Sequence, residues 1–349
     1  MGFSPLDRQL ELSEKGWSKG LEREAVWLSG AVSSYELAEG VLARIGQVNM
    51  SRPSVWRCTQ AAGQQFQALA ETERARANCL PEKWEPLRPE GSRAEVKDQR
   101  MGVAMDGAII NIREEGWKEV KIGTVFDVAV QPVVEGKTGE IEDVAHAVNN
   151  RHVAHLGGPD VLGEMVWTEA RKYGWEQAQD TIVIGDGAPW IWNQSAHHFG
   201  MSQQLVDWYH AKQHLVGAAR LLKQEGSAAF SRWLNSRETR LFQGHAARIA
   251  DELNKAADLH PVHHDALARE ATYFRNNQQR MNYLEMREEE WPIGSGMVES
   301  AAKQFKARFS GPGMRWSRSG AEKLLPIRSA ALSHRFDDMW NASRHLPPS

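Results

Sequence analysis

The spacing of apolar positions changes character along the chain, and the changes mark out its parts. Over residues 5–75 the spacing is helical. In "SYELAEGVLARIGQVNMSRPSVWRCTQAAGQQF", Leu37, Val41, Leu42 and Ile45 fall at intervals of three and four, as one buried helical stripe requires. A break follows at "IGQVNM". Ser51 then stands where a helix N-cap belongs, with Pro53 close to the first turn. Helix, short turn and capped helix outline a helix-turn-helix, an outline shared by many small helical bundles. Read that way, Arg52, Ser54 and Arg57 face DNA, while Val55 and Trp56 pack inward. Residues 76–100, "RANCLPEKWEPLRPEGSRAEVKDQR", carry three prolines and many charges with little periodicity, which predicts a linker.

From residue 101 the pattern becomes strand-like. "GVAMDGAIINIRE" and "WKEVKIGTVFDVAV" are β-rich runs separated by "EEGW", which predicts a hairpin. A polar stretch at 141–174 reads as helical, interrupted by "GGP" at 157–159. "TIVIGD" at 181–186 reads as a strand. A short strand near Leu205–Asp207 then runs into a helix. Residues 212–290 are helix-rich, polar and without a convincing strand. "GSGMVESAAKQFKARF" is a small-residue turn leading into a helix. Strands that first meander and then alternate with helices predict a mixed α/β sheet flanked by helices.

A chain of 349 residues holds two or three domains. Its 41% hydrophobic and 25% charged residues exclude a disordered chain. No apolar run approaches the roughly 18 residues of a membrane span, so no membrane partner is expected. The sequence start "MGFSPLDRQLELSEKG" lacks the form of a secretion signal. The two cysteines, Cys58 and Cys79, argue against a disulfide framework or a cysteine-rich zinc module and suit a reducing, cytoplasmic setting. The net charge of −3 does not suggest nucleic acid, but it averages over a local excess. Residues 300–335 carry Lys303, Lys306, Arg308, Arg315, Arg318, Lys323, Arg328 and Arg335 against Glu322 alone. Such clustering fits a solvated basic face or a polyphosphate partner.

Three acids carry the candidate chemistry. Asp186 ends the apolar run "TIVIGD" and precedes a glycine; Asp106 in "GVAMDGAII" does likewise. Either Asp-Gly pair alone reads as a turn. Asp106 fits that reading less well, because "AIINI" continues as strand, and a carboxylate inside a strand needs a partner or a cation. Gly107 and Gly187 would let a bulky ligand approach the backbone. Glu299 lies about one turn into a helix after Gly-Ser-Gly; it reads as a first-turn acid favoured by the helix dipole or as a third ligand. Two strand-borne aspartates and a helix-borne glutamate suit Mg²⁺. Two such ions about 4 Å apart support in-line displacement at phosphorus. His210 and His214, four apart on one helix face, have zinc-site spacing but no third ligand. The other reading has one histidine donating to a carboxylate near the metal site. His197–His198 and His263–His264 read as solvated pairs. Among the tryptophans near these motifs, Trp316, flanked by Arg315 and Arg318, is the one expected to meet DNA; packing is the ordinary role of the rest.

Five blocks, "MDGAIINIREEGWKEVKIGTVF", "IVIGDGAPWIWN", "VDWYHAKQHL", "YFRNNQQRMNYLEMREEEWPIGSGMVESAAKQFKARF" and "GMRWSRSGAEKLLPIRSAALSHRFDDMW", stand in this order. Together they resemble the ISKra-type bacterial insertion-sequence transposases, over about residues 3–345. That resemblance implies a DDE enzyme with a ribonuclease-H-like core. Asp106, Asp186 and Glu299 would be its catalytic, metal-binding acids, and Asp207 and His210 would support them. It implies two Mg²⁺ ions, with Mn²⁺ as a substitute. It also implies cleavage and joining of double-stranded DNA by a dimer or higher assembly, held by the DNA-binding set Arg52, Ser54, Arg57, Lys303, Lys306, Arg308, Arg315, Trp316 and Arg318. Family members usually begin with a longer segment of zinc-binding cysteine pairs, which would end near the start of this sequence. The expected parts are therefore 1–75, a helical DNA-binding region; 76–100, a linker; 101–211 with 291–345, the α/β core; and 212–290, an all-helical insertion. A nuclease without strand joining and a catalytically inactive DNA-binding remnant are the alternatives.

Overall fold

The computed structural model describes residues 17–79, 99–134 and 141–345. Its centre is a five-stranded sheet in the order β3-β2-β1-β4-β5. The strands are β1 (Arg100–Ile112), β2 (Gly116–Val134), β3 (Ile141–His155), β4 (Asp180–Gly185) and β5 (Gln203–Val206). β1, β2 and β3 pair antiparallel, while β4 joins β1 in parallel and β5 joins β4 in parallel. β1 is central and apolar on both faces: Met101, Val103 and Met105 alternate with Ala104, Ala108 and Ile110, all buried. A strand covered on both sides is expected to be apolar throughout. The predicted hairpin forms at "EEGW", where Glu114 and Gly116 take the positive φ that a tight turn needs.

The predicted helix over 141–174 is half wrong. Residues 141–155 are β3, paired with β2 from Lys121↔His155 to Val134↔Ile141. The strand lies at the sheet edge, so few of its side chains are buried, and the alternation that marks a strand is diluted by polar residues. It is also interrupted: the register shifts opposite Val125 and Asp127, and Asn149 has φ 53°, as at a bulge. Helix begins only after the "GGP" break, as α4 (Pro159–Lys172).

Helices cover the sheet. α4 packs on β2 and β3, with α5 (Pro189–His198) beside it. α11 (Gly296–Phe309) and α12 (Arg318–Leu332) also pack on the sheet, α11 mainly on β1 and α12 on β3. The N-terminal helices are α1 (Lys19–Ala31), α2 (Tyr35–Arg44) and α3 (Arg52–Ala77). Ala25, Leu28, Ala38, Leu42, Met50 and Val55 form a small core among them. The segment between α2 and α3, residues 45–51, is longer than the three- or four-residue turn of a standard helix-turn-helix. α3 then runs across α12 so closely that a Cβ at Gly63 would sit 2.2 Å from the Lys323 carbonyl oxygen. Val26, Ala62 and Phe66 thus belong to the same core as the sheet. Residues 80–98 of the expected linker lie outside the described residues.

Between β5 and α11 the chain is helical: α6 (Trp208–Leu222), α7 (Ala228–Phe242), α8 (Ala246–Leu259), α9 (His264–Asn277) and α10 (Tyr283–Glu288). Residues 212–290 contain no strand. A last helix, α13 (Phe336–Ser343), closes on α3. Among the described residues no helix is long and apolar enough to cross a membrane.

Candidate active site

The parallel pairing of β1 with β4 aligns Ala104 with Ile184. Two residues further along each chain stand Asp106 and Asp186. The register therefore carries Asp106 on β1 and Asp186, just past the end of β4, to the same end of the paired strands. α11 packs on β1 and carries Glu299 in its first turn. The electrostatics of Asp106 register this grouping. Burial raises its pKa above the ordinary carboxylate value, the charges of Asp186 and Glu299 push it further up, and the Gly107 N–H and Lys306 oppose the shift.

Each aspartate accepts a backbone N–H from a residue just after it. Gly107 N donates to Asp106 Oδ1 at 2.7 Å, and Ala188 N donates to Asp186 Oδ1 at 2.8 Å. Among the described residues, the second oxygen of each aspartate and both oxygens of Glu299 accept no hydrogen bond. Hard, anionic and under-satisfied oxygens from three elements are the donor chemistry of a divalent cation such as Mg²⁺. As they stand, no three His, Cys, Asp or Glu side chains among the described residues are gathered closely enough to hold a metal ion.

Asp207 is fully buried and both its oxygens are occupied. Oδ1 accepts from His210 N at 2.6 Å, capping α6, and Oδ2 accepts a close hydrogen bond from Ser295 N. Its own N–H donates to Gly185 O at 2.7 Å, and Trp208 N donates to Ile293 O at 2.9 Å. Asp207 therefore ties the ends of β4 and β5 to the Gly-Ser-Gly turn that aims α11. His210 takes part through its backbone N–H; its ring lies edge-on to His214 at 5.3 Å.

A second layer comes from the helical insertion. His214 Nδ1 lies 2.6 Å from Glu270 Oε2, and its ring stacks on Tyr273 at 3.5 Å. Tyr273 OH donates to the Asp186 backbone oxygen at 2.9 Å. Burial, then the charges of Asp186, Asp207 and Glu270, hold its hydroxyl protonated well above the ordinary tyrosine range. Gly187 has φ +101°, and a Cβ there would meet the Tyr273 ring at 2.7 Å, so glycine is needed both for the turn and for the ring that covers it. Asn277 completes the brace by accepting from Trp192 Nε1 at 3.1 Å. Glu270, Tyr273 and Asn277 were missed from the sequence. They lie on one face of a polar helix some ninety residues past Asp186, with only their spacing of three and four as a signal.

The expected DNA-binding set divides. Arg52, Arg57, Lys303, Lys306 and Arg315 are exposed and Ser54 is half-buried; Arg52 lies 3.9 Å from Glu36, and Arg57 donates to Ser54 Oγ at 3.2 Å. Arg318 is tied to Glu115 by two hydrogen bonds and to Glu322 by a third. Two members do not belong on a DNA-facing surface. Arg308 is 1% exposed and donates from Nε to Ser29 O at 2.9 Å. Trp316 is half-buried: its Nε1 donates to Phe309 O, and its backbone pairs with Ile112 at the end of β1. Arg328 and Arg335 of the basic segment are also interior. A basic segment in sequence becomes a basic surface only where its helix face points outward, and α12 points Arg328 inward. Trp56, expected inside, is 44% exposed. His198, expected in solvent, is half-buried near Trp167 and Phe199, and burial pushes its pKa down to about 4.

No curated protein matches the chain. Residues 5–337, nearly the whole sequence, match the Uncharacterised protein family (UPF0236), and the chain belongs to that family.

Proposed function

We propose that the protein is a DNA transposase of a bacterial insertion sequence, cleaving and joining DNA strands at Asp106, Asp186 and Glu299. The observation that carries this reading is the β1–β4 register, which brings Asp106 and Asp186 each two residues beyond the last paired positions, together with the raised pKa of Asp106, due first to burial and then to the charges of Asp186 and Glu299. The sheet supports a ribonuclease-H-like core: a three-stranded antiparallel meander is extended by two parallel strands, with one acid on the central strand and one at the end of its parallel neighbour. Cleavage breaks the bond between phosphorus and the 3′ oxygen as water adds to phosphorus. Joining repeats the displacement, with the freed 3′-hydroxyl attacking a target phosphate and releasing a new 3′ end.

Asp106, Asp186 and Glu299 would hold Mg²⁺, with Mn²⁺ as a substitute. When bound, two such ions activate the nucleophile and stabilise the leaving oxygen. The chain's own groups do the rest. Asp106 must be ionised to serve as a ligand. Tyr273 and the Ala188 N–H fix Asp186, and Asp207 fixes the start of Glu299's helix. Lys303 and Lys306, exposed on that same helix, draw in the phosphodiester backbone. Holding two transposon ends calls for a dimer or higher assembly on double-stranded DNA. The test is a strand-transfer assay with pre-cleaved ends and Mg²⁺. Joined products that vanish in Asp186→Asn support the transposase; hydrolysis without joining identifies a nuclease; DNA binding with neither reaction identifies a binding protein.

A further inference from the structure

At the end of β1 remote from its first residues, a cavity of about 460 Å³ opens between the starts of α2 and α3 and the loop at 313–317. This lies within the size range of small-ligand sites, roughly 300–1,000 Å³. Its lining joins aromatic faces to cations: Tyr35 and Trp56, Arg113 and Arg315, with Arg308 and Trp316 among the deeper groups. Trp56 is 44% exposed, and Arg113 and Arg315 are exposed. Arg308 is 1% exposed, and its guanidinium lies over the Tyr35 and Trp316 rings at 4.6 and 5.1 Å. Arg308 and Tyr35 interact with each other at the deep end of the cavity, which leaves Trp56, Arg113 and Arg315 as the groups facing its mouth.

The cavity connects to the carboxylates. Six residues of β1 separate Asp106 from Ile112, about 20 Å of strand. On α11, Glu299, Lys303 and Lys306 follow at intervals of four and three along one stripe. Both lysines are exposed, and Lys306 acts electrostatically on Asp106. A line of exposed cations therefore leads from the acids toward the cavity. Aromatic faces with arginines are the chemistry that holds an unstacked nucleobase and its phosphate.

We propose that this cavity receives one unpaired nucleotide of a DNA strand, its base against Trp56 and Tyr35 and its phosphate at Arg113 and Arg315, while the strand continues along Lys303 and Lys306 to the carboxylates. The course of the strand rests on the transposase reading; the nucleotide site does not.

The test is binding of the full chain in EDTA, by fluorescence anisotropy, to a blunt duplex, to the same duplex with a short single-stranded overhang, and to that overhang with abasic positions. The overhang is expected to bind at least 10-fold tighter than the blunt end, and abasic positions to remove the gain. Trp56→Ala, at an exposed position, should lower overhang affinity roughly 5- to 100-fold, with an unchanged melting temperature as the check on folding. Arg113→Ala and Arg315→Ala should each flatten the salt dependence by about one unit of slope. Equal binding of overhang, abasic overhang and blunt duplex, or a preference that survives Trp56→Ala, would overturn the proposal. Free dAMP bound with the same dependence on Trp56, and overhang DNA not preferred, would replace the strand by a mononucleotide. A Trp56-dependent overhang preference in a chain that joins no ends in Mg²⁺ would sink the transposase reading alone, whereas joining without that preference would sink the nucleotide site alone.

Discussion

Two groups of like charge lie at opposite ends of α11, and the fold treats them in opposite ways. At its start, Asp106, Asp186 and Glu299 lie within electrostatic reach, with oxygens left unbonded among the described residues, and each of the other two adds to the rise that burial gives the Asp106 pKa. Near its end, Arg308 and Arg328 are buried and also repel, with burial and Arg308 pushing Arg328 down to about 10. Yet these arginines are largely satisfied. Arg308 donates to Ser29 O, and Arg328 to Gly30 O, Ala31 O and Gln304 O. Ser29, Gly30 and Ala31 form the last turn of α1, whose carbonyls have no partner within the helix and carry the negative end of its dipole. No basic residue of α1 itself serves that turn. The cations thus close a helix end, which is structure. The anions are left in mutual repulsion, the usual mark of a site arranged for something other than stability.

The largest expected effect separates the two groups by activity. Asp186→Asn should lower strand joining by at least about 1,000-fold, the order of loss expected when a principal transition-state contact is removed, while circular dichroism and solubility stay those of the unmodified chain. The arginine end should answer in the other measurement. Arg308→Ala removes a charged donor from a buried carbonyl and leaves a void between Tyr35 and Trp316, so a loss of about 3 kcal/mol in denaturant unfolding is expected. Any joining activity lost should track the unfolded fraction. If Arg308→Ala left stability unchanged and abolished DNA binding, the contrast between the two ends of α11 would be gone.

Asp106→Asn should do what no change at the arginines can do: stabilise the fold. A carboxyl whose folded-state pKa is raised binds its proton more tightly in the folded chain, so its contribution is fully present below the unfolded-state value near 3.8 and is lost as pH rises through the raised value. Thermal melts should show the variant above the unmodified chain at pH 7, with the curves meeting near pH 4. Mg²⁺ should raise the melting temperature of the unmodified chain and move the variant much less.

The parts of this comparison that could be read in the sequence were those set by local pattern. "TIVIGD" is a strand followed by its acid because apolar β-branched residues end there, and Glu299 starts a helix because small residues precede it. The strand β3 was hidden, since an edge strand with an Asn-Asn bulge has neither clean alternation nor enough apolar residues. The fate of the basic segment was hidden for a different reason. Whether Arg308 meets DNA or the end of α1 depends on a contact across 279 residues, and no local spacing encodes it. Tyr273 falls in the same class: a tyrosine in a polar helix shows nothing of its role until the insertion folds back over Asp186.

The smallest expected effect sharpens the comparison most, because it tests whether the acids are positioned as well as gathered. Tyr273→Phe keeps the ring that stacks on His214 and covers Gly187, and removes only the hydroxyl that donates to the Asp186 backbone oxygen. One neutral hydrogen bond is worth about 1 kcal/mol in net stability, and the backbone oxygen left behind is partly shielded by the remaining ring. The fold should therefore lose about that much or less. If the bond holds the Asp186 turn in place, joining should fall several-fold with a larger change in kcat than in KM for the DNA ends, and the dependence on Mg²⁺ concentration should shift upward. A stability loss of the same size with unchanged kcat and unchanged Mg²⁺ dependence would reduce Tyr273 to packing, and would place the whole of the site's order in the β1–β4 register and the Asp207 clasp.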